Sequence, residues 1–489
     1  MTLDVTVVGQ GYVGLVTAAG AAEWGHTVVG VEKDPTRRDS LLAGRVPFHE
    51  PMLGELVAGN LANGRLRFTA EMASGVAGAD LVFIAVGTVD ADGRWETRTM
   101  ATCLAEVVPL VDDGATIVVR STCPPAFVTT LAASVEAIRS ESGRGPVSVM
   151  LNPEFTKEGT AVQDYLTPDR VVIGVARDPD GSGAAKLREF YGQVEAPIVE
   201  MSAIDAIMAK LGSNLFLATK ISFANELAAL CDLYGAQVEH VVEGMAHDPR
   251  IGGAFLRAGI GFGGSCLPHQ VTMTVAESAA RGHDASLFAA VDIVNHRQRT
   301  TFADHVDELV GGAAGRRIAL LGLTFKPHTD DLRAAPALDI ARDLIARGAT
   351  VVAYDPMETA RSRAESLVPG IVVVEDAESA LRDADAVALT TEWPEFVTLS
   401  WTRVAELVKG AIVVDGRNAL DPDAIEAAGF VYRGFGRGQR GLAEPAGVPV
   451  MAIEATVSTD GVTVDVPAMR SVAATLDGAH ADSGNGVLR

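Results

Sequence analysis

Residues 4–14, DVTVVGQGYVG, decide the fold class of this 489-residue chain. A strand-like run of β-branched residues ends here in the pattern G-x-G-x-x-G, formed by Gly9, Gly11 and Gly14. An alanine-rich helical stretch follows, and a second strand-like run covers residues 27–31. Strand, glycine turn, helix and strand together predict a βαβ unit of the dinucleotide-binding type.

The glycine turn and the residue after the second strand indicate the cofactor. In such a unit Gly9 allows the tight turn, Gly11 admits a pyrophosphate, and Gly14 lets the helix pack on the strand. A glycine pattern alone is also compatible with an ordinary turn, but Glu32 stands at the end of the second strand. Its carboxylate can accept hydrogen bonds from both ribose hydroxyls and would repel a 2′-phosphate, so we expect NAD rather than NADP.

The same pattern recurs further along the chain. Apolar runs at residues 79–86 and 115–120 are typical of parallel strands covered on both faces, and a second βαβ pattern begins at residue 317. Between them, residues 202–234 carry apolar side chains around most of a helical circumference, which predicts a long buried helix or a helix pair. We therefore predict an α/β fold with two Rossmann-like doubly wound domains joined by a long central helix.

This pattern divides the chain into four predicted regions. They are an NAD-binding Rossmann domain at 1–195, a central helical and dimerisation region with a cysteine loop at 196–314, a second Rossmann-like domain at 315–440, and a partly disordered tail at 441–489. The long central helix makes a homodimer the smallest assembly that we expect.

Composition excludes several classes of function. Acidic residues (63) outnumber basic ones (40), and the resulting net charge of −23 opposes sequence-independent binding to nucleic acid or anionic lipid. The cysteines form no CxxC pair and no cluster with histidines, so neither a disulfide framework nor a metal site is predicted. No signal peptide and no apolar run of membrane-spanning length is recognisable, which favours a cytoplasmic location without membrane contact.

Three separated segments carry groups suited to catalysis. They are NPEFTKEG at 152–159, KLGSN at 210–214 and GGSCLPHQ at 263–270. In the first, Glu154 and Glu158 are four residues apart and would share one face of a helical turn. The alternative to a catalytic role is that they form a solvated acidic face. In the second, Lys210 lies on an otherwise apolar helix, where a buried lysine is costly unless it is paired or functional.

The third segment surrounds Cys266 with glycines. Their missing side chains leave room for a substrate carbon to approach the sulfur, which is the functional interpretation. A free cysteine beside a glycine turn is also compatible with inert packing, and the residues alone leave both interpretations open.

Nine stretches, taken together, resemble the nucleotide-sugar dehydrogenases of the UDP-glucose/GDP-mannose dehydrogenase family over about residues 2–440, most closely the UDP-glucose 6-dehydrogenase branch. In chain order they are GQGYVGL, AVGT, STCPP, NPEFTKEG, PDRVVIG, AKLGSN, PRIGGAFLRAGIGFGGSC, GLTFKPHTDDLR and YDP. The resemblance implies NAD-dependent oxidation of the C6 alcohol of a UDP-hexose, UDP-glucose foremost, to a uronic acid through a cysteine thiohemiacetal and thioester. It also implies that region 315–440 binds the nucleotide sugar.

The resemblance assigns a role to individual residues. Cys266 is expected to be the nucleophile, Lys210 to steady the developing oxyanion and Asn214 to position the oxygen. Glu158 and Thr122 are expected to organise proton transfer and water, and Glu154 to support the same site. Besides the glycine turn and Glu32, the residues expected near NAD are Thr88, Arg37 and Arg333. Those expected to contact the nucleotide sugar are Lys326, Phe255 and Arg250, with Arg250 able to reach a neighbouring subunit.

The chain departs from the family pattern after the cysteine, where His269 and Gln270 replace the usual lysine and aspartate. Histidine is only partly protonated near neutral pH, so it either binds the NAD phosphates more weakly or merely donates a hydrogen bond to them. Glutamine cannot take up a proton, and the loss of a positioned acid or base reduces a rate by roughly 10²- to 10⁴-fold. The segment around Trp95 also departs, beside the expected NAD site.

These departures leave alternatives to the full reaction. One keeps the fold and cofactor but stops at the aldehyde, or recycles NAD in a redox-neutral rearrangement such as epimerisation. Another is a catalytically silent nucleotide-sugar binder, although a binder does not need Cys266 together with Lys210 and Asn214. Two NADH per sugar would separate the full reaction from both.

Overall fold

Eight strands in the first part of the chain form one sheet. They are β1 (Asp4–Val8), β2 (Thr27–Val31), β3 (Leu66–Thr69), β4 (Leu81–Ile84), β5 (Thr116–Val119), β6 (Ser148–Leu151), β7 (Val171–Arg177) and β8 (Ile198–Ser202). Their order is β3-β2-β1-β4-β5-β6-β7-β8, and the first six are parallel, as in a doubly wound dinucleotide-binding domain. The predicted βαβ unit at the N-terminus is confirmed.

Strand β7 differs from the predicted parallel sheet because it runs antiparallel to β6, with an irregular register between Val149 and Met150. Its first four residues are buried, as in the parallel strands. A strand buried on both faces has the same apolar pattern in either direction, so the sequence did not reveal this reversal.

Eight helices accompany this sheet in the described residues. They are α1 (Tyr12–Glu23), α2 (Pro35–Leu42), α3 (Leu53–Ala62), α4 (Met72–Val76), α5 (Arg98–Val107), α6 (Pro125–Glu141), α7 (Ala161–Leu166) and α8 (Ser182–Phe190). They cover both faces of the sheet, because neighbouring residues of β1 enter different cores: Val7 packs in one and Val8 in the other.

Four helices separate this sheet from the next one. They are α9 (Ala203–Tyr234), α10 (Val238–Ala246), α11 (Leu267–Ala280) and α12 (Ser286–Leu309). Helix α9 is a single helix of 32 residues, which decides between the helix and the helix pair left open by the sequence. Its Ile207 packs in a core of the first sheet and its Ala228 in a core of the second, so the helix joins the two layers.

The second sheet repeats the topology of the first. Its strands are β9 (Arg317–Leu321), β10 (Thr350–Tyr354), β11 (Val372–Val373), β12 (Ala386–Leu389), β13 (Ile412–Asp415) and β14 (Val431–Arg433). The order β11-β10-β9-β12-β13-β14 is parallel throughout, which confirms the predicted second doubly wound arrangement. The surrounding helices are α13 (Pro336–Ala346), α14 (Glu358–Leu367), α15 (Ala377–Leu381), α16 (Pro394–Val397), α17 (Trp401–Leu407) and α18 (Pro422–Ala427).

The computed structural model describes residues 2–90 and 93–438 in full, and only the backbone of 454–458 and 461–465. Residues 1–440 form one compact unit, and residues 441–489 form a second that contains an antiparallel pair, β15 (Glu454–Ser458) and β16 (Gly461–Asp465). The rest of the tail, for which partial disorder was predicted, lies outside the described residues. No helix in the described part of the chain has the length and apolarity needed to cross a membrane.

Candidate active site

The glycine turn between β1 and α1 leaves an open space at the N-terminus of the helix. Gly9 has a φ of 89°, which favours glycine, and a Cβ on Gly14 would lie 1.8 Å from the Gly9 carbonyl oxygen. A Cβ on Gly11 would meet no atom within 4 Å. The turn therefore fits a dinucleotide. Gly9 and Gly14 permit the close packing, and Gly11 leaves open space for a pyrophosphate at the helix terminus.

Glu32 lies just beyond β2, at the edge of the sheet that carries the glycine turn. Its buried carboxylate accepts hydrogen bonds from the backbone N–H groups of Gln10 (3.0 Å) and Asp34 (2.9 Å). The guanidinium of Arg37, itself 41% exposed, donates to the same carboxylate at 3.0 Å. The structure thus brings two of the predicted cofactor residues together, and these donors orient the Glu32 carboxylate at the edge where a ribose would lie.

Thr88 and Thr122 connect the loops that follow β4 and β5. The Thr88 hydroxyl donates to the Thr122 carbonyl oxygen at 2.6 Å. Because carboxyl ends of parallel strands meet at one edge of a sheet, these residues share the edge with the glycine turn.

Lys210 and Glu154 form a buried ion pair beneath Cys266. Lys210 Nζ lies 3.0 Å from Glu154 Oε1, and the side chains are 3% and 9% exposed. Glu154 Oε2 accepts from the backbone N–H and the hydroxyl of Thr156, both at 2.7 Å. Burial alone would raise the pKa of Glu154, but Lys210 and Thr156 together lower it below its usual value.

The expected arrangement of Glu154 and Glu158 on one helical turn is wrong. Residues 152–157 have no regular secondary structure, and the helix begins only at Ala161. Pro153 and the positive φ of Gly159 (82°) disfavour a helix here. Neither glutamate lies on a solvated face, because Glu154 is buried and Glu158 is half-buried in a cluster with the second sheet domain.

Asn214 lies one helical turn beyond Lys210 on α9, so both residues lie on the same face of this helix. Its Nδ2 donates to Oε1 of the buried Gln270 at 2.8 Å. Gln270 therefore holds the Asn214 amide, which is expected to position the substrate oxygen. The Gln270 side chain accepts a hydrogen bond but cannot take up a proton.

Cys266 directly precedes helix α11 and is the only exposed cysteine of the chain. Desolvation and then Glu154 raise the pKa of its thiol, while Lys210 and the hydrogen bond to Ser265 oppose this rise. Backbone N–H groups at the N-terminus of α11 favour a thiolate at this position.

Glu158 connects the first sheet domain to the second. Ser265 donates a hydrogen bond to its Oε1 at 3.2 Å, and Arg333 Nη2 lies 3.2 Å from the same oxygen. Burial and then Asp331 raise the pKa of Glu158 to about 7, against the opposing effect of Arg333. A carboxyl group that titrates near neutral pH is suited to general acid–base catalysis.

Arg333 and Lys326 also belong to this cluster. Arg333 forms an ion pair with Asp331 at 2.7 Å, so the structure places this predicted cofactor residue beside Glu158. Burial lowers the pKa of Lys326, and Glu158 is the first of the carboxylates that oppose this effect. The residue predicted to bind the nucleotide sugar therefore lies close to Glu158.

His269 and the segment around Trp95, both expected to depart from the family pattern, touch each other. Gly93 packs so closely on His269 that a Cβ there would lie 2.9 Å from the imidazole Cδ2. Val89 and Trp95, in the same atypical segment, form an isolated antiparallel bridge. Burial and then Arg333 lower the pKa of His269, so its ring is neutral at neutral pH and lacks the charge of the usual lysine.

The remaining predicted residues lie on an exposed loop. Phe255 has a φ of 64° and is 39% exposed. Arg250 is 87% exposed and pairs with Asp248 of its own loop at 2.6 Å.

Tyr12, Glu50 and Ser265 were missed as supporting residues. Glu50 accepts the backbone N–H groups of Gly159 (2.6 Å) and Ala161 (2.7 Å) together with the Tyr12 hydroxyl, so it braces the loop that carries Glu158. Tyr12 and Ser265 lie inside quoted motifs, which could have marked them. Glu50 is 109 residues from Gly159, and no local pattern indicates that contact.

The site thus combines a thiol, a charged lysine with its carboxylate, an amide and a carboxyl group that titrates near neutrality. This set suits oxidation of an alcohol through a covalent thiol adduct when a hydride acceptor is bound at the glycine turn. In the described ranges, no group of three or more His, Cys, Asp or Glu side chains is arranged to hold a metal ion.

Comparisons with known proteins identify the family of this chain. The chain matches three domain families of the UDP-glucose/GDP-mannose dehydrogenase family: the NAD binding domain at residues 3–195, the central domain at 205–297 and the UDP binding domain at 319–422. Among curated relatives, UDP-glucose 6-dehydrogenase TuaD of Bacillus subtilis (strain 168) is 36% identical over 88% of this chain and 93% of its own length. UDP-glucose 6-dehydrogenase of Rhizobium meliloti (strain 1021) is 38% identical over 89% of this chain and 100% of its own.

Among solved structures, a UDP-glucose dehydrogenase from the hyperthermophilic archaeon Pyrobaculum islandicum superposes with a TM-score of 0.81. It is 36% identical, and the match covers 89% of this chain and 98% of that one. A UDP-D-ManNAc dehydrogenase from Pyrococcus horikoshii has a TM-score of 0.78 at 27% identity, with 89% and 100% of the chains covered.

Proposed function

Because the chain belongs to the UDP-glucose/GDP-mannose dehydrogenase family and is an NAD-dependent oxidoreductase, we propose that it oxidises the C6 alcohol of UDP-glucose to the acid. The observation that carries the proposal is the Cys266 thiol beside the buried Lys210–Glu154 pair and the Glu158 carboxyl. The 6-dehydrogenase names of the relatives support the complete oxidation and do not favour the redox-neutral alternative.

Gly9, Gly11 and Gly14 would hold NAD, with Glu32 at its ribose, and the cofactor would supply the hydride acceptor for both oxidation steps. The chain's own residues do the rest. Lys210 stabilises negative charge on the substrate oxygen as the alcohol becomes an aldehyde, and Asn214 holds that oxygen in place. The Cys266 thiolate then adds to the aldehyde carbon, giving a thiohemiacetal whose oxidation yields a thioester.

Hydrolysis of the thioester completes the reaction. Water adds to the thioester carbon and the sulfur leaves, which restores the thiol and releases the acid. Glu158 suits the proton transfers of this step because its pKa of about 7 lets it accept and donate a proton near neutral pH. Thr122 and Glu154 are proposed to order the water and to support Lys210.

We assign the sugar nucleotide to the second sheet domain, residues 315–440. Its match to a UDP binding domain supports this assignment, and so does the position of Lys326 beside Glu158. Residues 1–195 are then the cofactor domain and residues 196–314 the region that presents Cys266. Phe255 and Arg250 lie on the exposed loop between α10 and α11 and would contact the sugar nucleotide.

We also propose a homodimer formed along α9. Phe216, Phe223 and Leu230 are 63%, 49% and 47% exposed and recur every seven residues, so they line one face of this helix. An apolar stripe of this kind is typical of a protein interface. The exposed Arg250 would then be free to contact the active site of the partner.

A cytoplasmic location is consistent with four unpaired cysteines.

The test of the proposed reaction is to incubate the protein with NAD and UDP-glucose and to count NADH per sugar consumed. Two NADH and UDP-glucuronic acid are expected by absorbance and mass spectrometry. One NADH with an aldehyde, or no NADH with a rearranged sugar, would support the alternative reaction instead. No change of UDP-glucose, GDP-mannose or amino-sugar nucleotides would contradict dehydrogenase function, and the Cys266→Ser variant is the control for the covalent step.

A further inference from the structure

Ser265 lies between the Cys266 thiol and the Glu158 carboxylate. Its Oγ is 3.2 Å from Glu158 Oε1, to which it donates, and 3.7 Å from Cys266 Sγ. A serine hydroxyl has one hydrogen. When that hydrogen points to the Glu158 carboxylate, the Ser265 oxygen acts as the acceptor in its contact with Cys266, and the thiol is the donor. The three groups therefore form a continuous chain from S–H through O–H to the carboxylate oxygen.

The other groups around the thiol are poor proton acceptors. Both oxygens of Glu154 are already engaged, by Lys210 and by Thr156, and its lowered pKa makes it a weak base. Gln270, where an aspartate is usual, cannot take up a proton. Arg333 also faces the thiol but is a cation. Glu158 is thus the carboxylate that can receive a proton near neutral pH.

Several charged groups surround Glu158 and set its protonation. Asp331 raises its pKa after burial, while Arg333 and Lys326 lower it. The phenol of Tyr12 also interacts with Glu158 and stays protonated, because burial and Glu50 raise its pKa. Arg333 also donates to Glu158 Oε1, at 3.2 Å, but Ser265 has hydrogen-bond contacts with both this oxygen and the Cys266 sulfur.

We propose that Ser265 is a positioning residue that relays the proton of the Cys266 thiol to Glu158. The S–H and Oγ–H bonds break, new Oγ–H and Oε1–H bonds form, and a thiolate and a neutral carboxylic acid result. No other reactant is needed and net charge is conserved. The reverse transfer returns the proton to sulfur when the thioester is hydrolysed. This role rests on the proposed function only in so far as the thiolate is the nucleophile.

The relay is tested on the free protein, without sugar or NAD, by alkylation of Cys266 with iodoacetamide. The modified peptide is quantified by mass spectrometry from about pH 5.5 to about pH 9, which spans the expected titration of Glu158. We expect the native rate to increase in a step centred near pH 7, where Glu158 becomes able to accept the proton. Glu158→Gln should remove the step.

Ser265→Ala should reduce the height of the step roughly tenfold, because a hydrogen bond to a charged group is lost. Ser265→Thr keeps a hydroxyl and should restore the step. Ser265→Gly is a second deletion if the alanine variant is unstable. Thr329→Val is the matched control, since Thr329 donates to the other oxygen of Glu158 at 3.4 Å and should leave the step in place.

A double-variant cycle separates a relay from simple support of the loop. If Ser265 acts through Glu158, then Ser265→Ala should have no further effect in the Glu158→Gln background. Equal effects in both backgrounds, or an unchanged step in Ser265→Ala, would overturn the relay. Because no sugar is present, these results are independent of the UDP-glucose assay, and failure of that assay alone would leave the relay standing.

Discussion

Lys210 Nζ lies 3.0 Å from Glu154 Oε1 in an ion pair that is almost fully removed from solvent. Burial of two charges rarely stabilises a fold relative to apolar residues of the same volume, because desolvation offsets their attraction. Lys210 sits on a helix whose neighbouring buried residues, such as Ile207 and Leu211, are apolar. The pair is therefore better explained by its position beneath Cys266, where it keeps a cation available for a developing oxyanion.

Removal of one partner of this pair should destabilise the fold. Glu154→Leu leaves an unpaired buried ammonium, and we expect the free energy of unfolding to fall by about 3 to 5 kcal/mol. The double variant Glu154→Leu with Lys210→Met should recover most of that loss while activity stays absent. Urea unfolding followed by circular dichroism measures the unfolding free energies of the single and the double variant. A double variant as unstable as the single one would contradict the explanation by an unpaired buried charge.

The hydrogen bond between Asn214 and Gln270 gives a second prediction. Gln270→Leu removes the acceptor of Asn214 Nδ2, which costs about 1 to 1.5 kcal/mol. When the free energy of this lost hydrogen bond is added to the activation barrier, kcat falls roughly tenfold. Gln270→Glu keeps an acceptor at the same reach and should retain kcat or increase it.

Steady-state NADH formation compares the two Gln270 variants at matched protein concentration. If Gln270→Leu had the native kcat, Asn214 would not depend on Gln270. An increased kcat in Gln270→Glu, with a new pH dependence, would identify the missing carboxylate as the group that limits this chain.

Much of the fold was predictable because local patterns carried it. The run before Gly9, the apolar course of α9 and the strand at residue 317 each identified an element that the structure contains. The direction of β7 was not predictable, since burial on both faces gives the same pattern in parallel and antiparallel strands. The family resemblance supplied residue roles that composition and spacing could not.

The supporting contacts of the site were predictable only in part. Glu154 and Glu158 were expected to share a helix from their spacing, but Pro153 and Gly159 interrupt it and each carboxylate finds its own partner. Long-range contacts such as Glu50 with Gly159 leave no local trace in the sequence. They depend on how two loops meet after the sheet has formed.

Glu50 provides a third prediction, because it braces the loop of Glu158. Glu50→Gln replaces one acceptor oxygen by an amide that faces backbone N–H donors, so we expect a loss of about 1.5 to 3 kcal/mol in unfolding free energy. The kcat should fall as well, since Glu158 is held less firmly. Tyr12→Phe removes only one hydroxyl and should have the smaller effect in the same urea titration; the opposite order would contradict the proposed bracing role.

The exposed stripe of α9 predicts the oligomeric state. Phe223→Glu places a charge in the middle of the proposed interface, so we expect sedimentation velocity to show monomers at concentrations where the native protein is dimeric. Leu367→Glu, at an apolar position of α14 with 40% exposure, is the control and should remain dimeric. Dissociation by both variants, or by neither, would argue against an interface on α9.

The glycine turn gives a final prediction, because its glycines are required for different reasons. A Cβ on Gly11 meets no protein atom, so Gly11→Ala should fold normally but enter the space expected for the pyrophosphate, raising the Kd for NAD about tenfold or more. A Cβ on Gly14 would clash with the Gly9 carbonyl, so Gly14→Ala should lower the free energy of unfolding by about 1 to 3 kcal/mol.

Gly59→Ala in α3 is the matched control for both variants, since its Cβ also enters open space but far from the turn in sequence. Calorimetric titration with NAD and urea unfolding should therefore separate the three variants. Gly11→Ala should bind NAD weakly with native stability, Gly14→Ala should be less stable, and Gly59→Ala should show neither defect. If Gly11→Ala bound NAD like the native chain, the open side of Gly11 would not be where the pyrophosphate lies.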